Sequence, residues 1–383
     1  MGSHMITILF NVIWLLNLFF LFIKKKSRMV EATSIAISFY IYFYNQSSND
    51  YQRYSWIYNG NLKNGVEPGF LLLVNIGNRL GLSQNQFQGF IASIALIVIL
   101  YVYSRYSNNF HFFFAMYFTY QYFADLNLLR NFIMRAFLTA GIYMLIKRKK
   151  IPFVVCVFIA FLFHRTALIY LPLVFFDVDK ALSKKIIKSF VTVIITLCII
   201  GFVFGNNWSW IINIAAPILG ENSQKLSYYF TTKTRIGFLI YFVLYIYNYS
   251  TIILSANNGD TNISYSDEKT VIIKTAGRDA QGEKVRIQNN ELFLWSKYIN
   301  LYCLLSFPLI MMNENFYRIF NNIYFINLIY YSKVLDSYNS TTSEYYFRVI
   351  QFFVGNLLYR LPFVQGNDQK KFILMNQGNT NWE

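Results

Sequence analysis

Charged residues are scarce in this sequence of 383 residues. They make up 14% of the chain, whereas ordinary globular domains contain about 25%. Acidic residues are the rarest of them, with 18 Asp and Glu against 34 Lys and Arg. The uncharged stretches between them are longer than the core helices of a soluble domain. The shortage of charge therefore excludes a soluble globular protein.

Cysteine is also rare, and the three residues are Cys156, Cys198 and Cys303. Each lies inside an apolar run without a Cys or His partner at metal-binding spacing, which excludes a disulfide framework and a zinc cluster. The sequence contains no H-E-x-x-H motif and no G-x-S-x-G motif. We therefore predict no metal site, no cofactor and no serine-hydrolase triad.

The net charge of +16 does not indicate a nucleic-acid partner. Much of the excess lies in short Lys and Arg clusters beside apolar runs, as in the cytoplasmic loops of membrane proteins. The sequence patterns of RNA-recognition, zinc-finger and helix-turn-helix modules are absent. We predict no nucleic-acid binding.

Apolar residues are abundant: 55% of the chain is hydrophobic and 20% is aromatic. The apolar runs approach or reach the roughly 17–25 residues that cross a bilayer. They cover residues 6–23, 30–44, 87–103, 110–123, 132–146, 153–163, 167–176, 190–204, 236–255, 292–312 and 316–331. Residues 69–82 fit a re-entrant or interfacial helix, and residues 347–364 fit a span or a flat interfacial helix. The sequence predicts an all-α polytopic membrane protein with about 10–13 transmembrane or re-entrant helices.

Lysine clusters set the predicted orientation. Basic residues at 24–26 and 147–150 mark the cytoplasmic side and place the N-terminus outside. The predicted organisation is a tag scar at 1–5, one transmembrane domain at 6–364 and a C-terminal tail at 365–383. Within the transmembrane domain we predict external loops at 45–68 and 205–235 and a cytoplasmic hydrophilic insertion at 257–290.

Arginine dominates the side predicted to be external. The ionisable residues predicted there are Arg53, Glu67, Arg79, Arg130, Arg135, His164, Arg165, Arg235, Glu314 and Arg318. Topology alone favours basic residues on the opposite side, so the excess indicates an anionic partner. Arg135 lies in an otherwise apolar helix, with Asn131 one turn earlier on the same face. It fits a guanidinium that binds phosphate oxygens, with Arg130 as a second one, or an arginine that snorkels to the headgroups.

Two residues are candidates for proton transfer. His164 lies at the predicted break between two short apolar runs, and the charge of the adjacent Arg165 favours the neutral imidazole that a general base requires. Glu67 precedes a predicted helix, where a carboxylate also suits the helix dipole. Asp50 is a further external carboxylate that loop solvation explains equally well. His111 lies among phenylalanines, and we interpret it as structural.

A series of short motifs resembles the EpsG family in order and spacing. The motifs are Asp50-Tyr51 with Tyr54, Glu67-Pro68-Gly69-Phe70, Arg130 with Arg135-Ala136, Lys149-Lys150, and Phe163-His164-Arg165-Thr166-Ala167-Leu168. The resemblance by motif covers roughly residues 30–175. The C-terminal half agrees in hydropathy and in an arginine at an external turn, Arg318. Arg165 departs from the family, which more often has a small residue after the histidine.

The EpsG family comprises Wzy-like polysaccharide polymerases of bacterial cell membranes. The resemblance implies a multi-pass glycosyltransferase of GT-C-like architecture in the inner membrane, inverting and metal-independent, with its active site facing the periplasm or outside. Its partners would be the bilayer and an undecaprenyl-diphosphate-linked oligosaccharide, whose growing glycan is transferred onto an incoming lipid-linked unit. The implied roles are catalytic for His164 and Glu67, diphosphate-binding for Arg130, Arg135, Arg165 and Arg318, and substrate-binding for Asp50, Arg53 and Tyr54.

Other functions fit the same residues. An O-antigen ligase-like enzyme would use the same arginines and histidine with a different acceptor. A flippase for lipid-linked sugars would need a cationic cavity and internal repeats, and a membrane acyltransferase would need its histidine on the cytoplasmic face. The glycan itself, whether O-antigen, capsule or exopolysaccharide, stays open. For the insertion at 257–290 our hypothesis is docking of a chain-length regulator.

Overall fold

The computed structural model describes residues 3–46, 48, 50–176, 235–257, 280–312, 316–338 and 343–358, and part of 189–199. All regular structure in these ranges is helical, which confirms the predicted all-α class. Two compact units divide the chain. The first comprises Met1–Phe175, Asn321–Ser332 and Asn339–Glu383, and the second comprises Phe176–Phe320 and Lys333–Tyr338.

Short turns join the helices. The N-terminal half contains α1 (Ser3–Phe22), α2 (Arg28–Tyr44), α3 (Tyr51–Tyr58), α4 (Pro68–Arg79), α5 (Gln84–Ser104), α6 (Phe110–Thr119), α7 (Gln121–Asn127), α8 (Leu129–Ile146), α9 (Lys150–Phe161) and a 3₁₀ helix (Arg165–Phe175). The C-terminal half contains α10 (Arg235–Asn257), α11 (Ala280–Tyr302), a 3₁₀ turn (Cys303–Leu305), α12 (Ser306–Met312), α13 (Tyr317–Asn321), α14 (Tyr324–Asp336) and α15 (Ser343–Leu358).

Four helical stretches in the described ranges are long and apolar enough to cross a membrane. They are Met5–Phe22, Gln84–Ser104, Leu129–Ile146 and Glu291–Ile310. Each coincides with an apolar run predicted from the sequence. Shorter apolar helices accompany them at Phe110–Thr119, Lys150–Phe161, Arg165–Phe175 and Leu239–Ser255. The chain is therefore a multi-pass helical membrane protein.

Helix α8 is central to the first unit, because it packs against both α5 and α9. Its side chains at Phe132, Leu138 and Ile142 are fully buried. A Cβ added at Gly141 would lie 3.0 Å from the Cβ of Cys156 on α9. Small residues allow such close helix contact within a membrane. This packing fixes α9, and with it the chain that follows it, against α8.

The predicted crossing at 110–123 is interrupted in the structure. Helix α6 ends at Thr119, Tyr120 leaves helical geometry with φ −143° and ψ −60°, and α7 begins at Gln121. The break predicted between 153–163 and 167–176 is confirmed, since α9 ends at Phe161 and a 3₁₀ helix begins at Arg165. Both breaks bring polar residues into the helical unit.

Several predicted segments fall partly or wholly outside the described residues. The tail at 365–383 lies wholly outside the described residues. The external loop at 205–235 also lies outside them, except for Arg235, which begins α10. Of the predicted insertion at 257–290, the structure describes its first residue in α10 and residues 280–290 as the first part of α11. Docking of a chain-length regulator there stays a prediction.

Candidate active site

Three neighbouring helices of the first unit carry the predicted site residues. Helix α3 carries Arg53 and Tyr54, and α8 carries Arg130 in its first turn. Glu67 is the N-cap residue of α4 and has extended backbone geometry. The next residue, Pro68, occupies the first helical position, where its fixed φ and missing N–H favour helix initiation. The Glu67 carboxylate is thereby held at the start of α4.

Glu67 and Arg130 form an ion pair. Nη1 of Arg130 donates a hydrogen bond to Oε2 of Glu67 at 2.5 Å. The side chain of Arg130 is 13% exposed and that of Glu67 is 9% exposed. Nε of Arg130 is buried without a hydrogen-bond partner among the described residues. Within the ion pair, Nε of Arg130 therefore remains able to donate a hydrogen bond.

Tyr54 supports Arg130 through the backbone. The N–H of Arg130 donates to the Tyr54 hydroxyl oxygen at 3.3 Å. Burial raises the pKa of the Tyr54 hydroxyl, and the nearby Asp50 carboxylate raises this pKa further. The hydroxyl is therefore neutral at physiological pH. The structure brings together Tyr54, Glu67 and Arg130, which sequence analysis took from three separate motifs.

A backbone contact joins the beginning of α4 to the end of α9. The N–H of Gly69 donates to the carbonyl oxygen of Leu162 at 2.9 Å. A Cβ at Gly69 would lie 2.7 Å from both the Cβ and the carbonyl oxygen of Leu162, so no other residue fits without displacement. Glu67 lies two residues before this contact and His164 two residues after it. The two candidates for proton transfer are thus carried by segments in direct contact.

His164 lies in the break between α9 and the 3₁₀ helix and is half-buried. Its Nδ1 is 2.8 Å from the hydroxyl oxygen of Thr166 and 3.4 Å from the backbone nitrogen of Thr166. A backbone N–H can only donate, so Nδ1 is assigned as the acceptor, and the proton of the neutral imidazole then lies on Nε2. In this tautomer Nε2 is a hydrogen-bond donor.

Arg135 lies in a second ion pair, deeper in the same unit. Its Nη2 donates to Oδ1 of Asp125, and neither side chain is exposed. Gln121 donates to the same carboxylate oxygen at 2.9 Å. Tyr117 donates to the other oxygen at 3.0 Å, and its hydroxyl also contacts that of Tyr42 at 2.8 Å. The break at Tyr120 allows this network, because it turns α7 so that Asp125 faces Tyr117.

Sequence analysis did not assign a role to Asp125. The signal was present, because Asp125 is the only acidic residue between Glu67 and Asp177. A buried arginine in an apolar helix requires a counter-ion, and the nearest carboxylate in the chain lies ten residues earlier. Arg135 thus forms an ion pair with Asp125, whereas the sequence analysis grouped it with Arg130 as a second phosphate-binding arginine.

The remaining predicted residues lie in more exposed positions. Asp50 is the N-cap residue of α3 and is partly buried. Arg53 and Arg165 are exposed. Arg318 lies on α13 and is partly buried, within the second unit.

His111 is structural, as interpreted from the sequence. Its Nε2 accepts the N–H of Ser27 at 2.9 Å, and its Nδ1 lies 2.9 Å from Oδ1 of Asn17. The ring also stacks on Phe20, with the centroids 5.1 Å apart. Both ring nitrogens are therefore used in joining α1, α2 and α6.

Two ion pairs with little or no exposure, Glu67–Arg130 and Asp125–Arg135, thus lie within the first unit of a multi-pass helical membrane protein. Ionisable residues in such a protein are a functional-site hypothesis by default. The family model for the EpsG family matches residues 43–374, and the chain belongs to this family of Wzy-like polysaccharide polymerases. No curated protein and no solved structure matches the chain.

The family match is longer than the resemblance visible in the motifs. It includes the C-terminal half of the chain, where only the hydropathy pattern and Arg318 resembled the family. It also includes all predicted site residues, from Asp50 to Arg318. Membership of this family indicates a polysaccharide polymerase as the general function.

Proposed function

We propose that this protein polymerises undecaprenyl-diphosphate-linked oligosaccharide units at the external face of the bacterial inner membrane. The growing glycan is transferred from its lipid diphosphate onto a sugar hydroxyl of an incoming lipid-linked unit. The observation that carries this proposal is the Glu67–Arg130 ion pair, in which Nε of Arg130 is buried without a hydrogen-bond partner among the described residues. It combines a carboxylate and a cation beside the segment of His164, and polymerisation needs both.

Glu67 is proposed as the general base. The acceptor hydroxyl attacks the anomeric carbon of the donor glycan and forms the new glycosidic bond. The bond from that carbon to the diphosphate oxygen breaks, and the diphosphate leaves with the electron pair. Glu67 accepts the proton of the hydroxyl. A single displacement of this kind inverts the anomeric centre.

Arg130 is proposed to bind the leaving diphosphate. Its Nε lacks a partner among the residues described, so this atom can donate to a phosphate oxygen while Nη1 holds Glu67. Arg165 is exposed beside His164 and adds the positive charge that the Glu67–Arg130 pair lacks. Together these guanidinium groups stabilise the charge that develops on the diphosphate, without a metal ion. Arg318 keeps its predicted role as a further clamp.

His164 is proposed to contact the reacting groups as a hydrogen-bond donor. With Nδ1 accepting from Thr166, the Nε2–H group can donate to the acceptor sugar or to the diphosphate. Arg53 is exposed at the edge of α3, with Asp50 at the start of that helix, and both suit contact with the glycan. Tyr54 is buried and acts through Arg130. Proton abstraction thus falls to Glu67 and positioning to His164.

Reconstitution with a lipid-linked repeat unit tests this proposal. Purified protein receives the unit in EDTA, and products are resolved as a ladder of chain lengths. We expect a ladder from wild type, and a decrease of about 10²–10⁴-fold in rate for Glu67→Gln, as for loss of a general base. Glu344→Gln is the matched control, because Glu344 also lies near an arginine, 3.8 Å from Arg348, but is 39% exposed.

The outcomes separate the candidate functions. A ladder in EDTA that Glu67→Gln abolishes and Glu344→Gln leaves intact supports a metal-independent polymerase with this site. A ladder that requires an added divalent cation contradicts metal independence. Transfer of one finished glycan to a different acceptor, without chain growth, would instead indicate a ligase. Equal rates for wild type and Glu67→Gln would remove Glu67 from the mechanism.

A further inference from the structure

Four buried polar side chains of the first unit, linked by hydrogen bonds or helical spacing, and the buried residue that directly precedes one of them in the chain make up what we call the amide cluster. Its members are Gln121, Asn131, Arg135, Asn321 and Asn322. Nδ2 of Asn131 donates to Oδ1 of Asn322 at 3.1 Å. Arg135 lies one helical turn after Asn131 on α8, and it shares an oxygen of Asp125 with Gln121. None of the five is more than 2% exposed.

The amide cluster has more polar atoms than the surrounding protein satisfies. Among the described residues the buried atoms without a hydrogen-bond partner include Oε1 of Gln121, Oδ1 of Asn131, Nε and Nη1 of Arg135, Nδ2 and Oδ1 of Asn321, and Nδ2 of Asn322. Buried polar groups in native proteins are nearly always hydrogen-bonded, so this many together indicates a missing polar partner. Both amide atoms of Asn321 are unpartnered.

The mixture of donors and acceptors indicates the chemistry of that partner. Four of these seven atoms donate and three accept. A phosphate group only accepts, so it would leave the three amide oxygens unsatisfied. A sugar hydroxyl both donates and accepts, and several on one ring match such a mixed set. The charge of Arg135 is already balanced by Asp125, which makes the cluster suited to an uncharged ligand.

We propose that the amide cluster is the binding site for hydroxyl groups of the lipid-linked glycan. This inference rests on the proposed function, because it names the part of that substrate which enters the bundle. Asn131 directly follows Arg130, so sugar bound at the cluster is adjacent in the chain to the residue proposed for the diphosphate. Since the five side chains are almost fully buried, the helices around them must part when the glycan enters. The role proposed for Arg135 changes accordingly from diphosphate to sugar.

Asn321→Leu is the most informative variant. The Leu side chain has the same number of heavy atoms and the same branching as that of Asn, and the substitution breaks no side-chain hydrogen bond in the described part of the chain. Binding is measured without turnover, in a Glu67→Gln background, by native mass spectrometry with two probes. One probe is undecaprenyl diphosphate carrying the oligosaccharide unit, and the other is undecaprenyl diphosphate alone. Thermal unfolding in detergent verifies that the variant is folded.

We expect Asn321→Leu to weaken binding of the glycan-bearing lipid at least tenfold and to leave binding of the sugar-free lipid unchanged. Ser93→Ala is the matched control, because the Ser93 hydroxyl is also buried and unpartnered, but on α5. It should change neither affinity. In the otherwise wild-type enzyme, Asn321→Leu should raise KM for the lipid-linked unit with little change in kcat.

Two results would overturn the proposal. Equal weakening of both probes would mean that the cluster binds diphosphate. Unchanged binding of both, together with a higher unfolding temperature, would mean that ordered water alone fills the cluster. The test separates this proposal from the proposed function. Absence of a polymer ladder from wild type, with binding that still depends on the sugar, would contradict polymerisation but not the sugar site. A normal ladder from wild type, with unchanged binding of the glycan-bearing lipid after Asn321→Leu, would contradict the sugar site but not polymerisation.

Discussion

Gly69 and Leu162 touch through their backbones, 93 residues apart in the sequence. The hydrogen bond between them, 2.9 Å long, joins the first turn of α4 to the end of α9. This contact connects the segment of Glu67 to the segment of His164. The relative position of these two residues therefore depends on a glycine that makes no contact with substrate in the proposed mechanism.

Gly69→Ala should disrupt the site more than the fold. The added methyl group would lie 2.7 Å from Leu162, and α4 must move to relieve the contact. We expect a loss of stability of about 1–3 kcal/mol, typical of overpacking, and a much larger relative loss of polymerisation. Chain-length ladders and thermal unfolding measure the two effects. Leu72→Ala, at an exposed position of the same helix, should change neither the ladder nor the unfolding temperature by much.

The Asp125–Arg135 pair should show strong energetic coupling. Removing one partner of a buried pair costs about 3–5 kcal/mol, because it leaves an unpaired charge. We therefore expect Asp125→Asn and Arg135→Met each to destabilise strongly, and the double variant to be less destabilised than the sum. A double-mutant cycle by denaturant unfolding in detergent measures the coupling. Strict additivity would contradict the pair as described.

The two histidines in the described chain beyond the N-terminus should respond in opposite ways. His111→Ala removes hydrogen bonds to Ser27 and Asn17, and should lower stability by about 1–3 kcal/mol. Turnover per folded molecule should remain close to that of wild type. His164→Ala should leave the unfolding temperature nearly unchanged and abolish the ladder. Loss of activity without loss of stability at His111 would contradict its structural role.

Tyr54 should contribute to the loss of stability at alkaline pH. Burial raises the pKa of its hydroxyl in the folded protein above the ordinary tyrosine value of about 10. Above about pH 10 the unfolded chain therefore loses this proton first, and stability falls as the pH rises. Tyr54→Phe removes this contribution, so its free energy of unfolding should fall less steeply between about pH 10 and 11. The difference between the two slopes, and not the slope of wild type, is the measured quantity.

Much of the fold could be predicted from hydropathy. The four long helices follow apolar runs, because burial of apolar surface in lipid and internal hydrogen bonding leave a helix as the available structure. The break after Phe161 was also predicted, since two short runs flank a His-Arg pair. The break at Tyr120 was not predicted. Thr119 and Gln121 flank it, but the surrounding residues are otherwise mostly apolar and aromatic and include no Pro or Gly, so no residue that commonly breaks helices marks the position.

The sequence was sufficient to predict several residues of the candidate site, but not which of them form ion pairs with each other. Glu67, Arg130 and Arg135 were selected because ionised groups are costly near a bilayer. Hydropathy does not state which carboxylate meets which arginine, since that depends on tertiary contacts such as Gly69 with Leu162. Asn321 and Asn322 were not selected at all. Neutral amides are common in loops, and their significance follows only from burial without partners.

The short separation of Asp125 and Arg135 has a consequence for biogenesis. Only ten residues separate them, so both emerge from the ribosome within one helical hairpin. Insertion of an isolated arginine at the centre of a helix costs about 2.5–3.5 kcal/mol on translocon scales. With its counter-ion on the preceding helix, α7, Arg135 can leave the translocon already neutralised. A long insertion after α7, which separates Arg135 from the Asp125 carboxylate already synthesised, should then make insertion of α8 into the membrane inefficient.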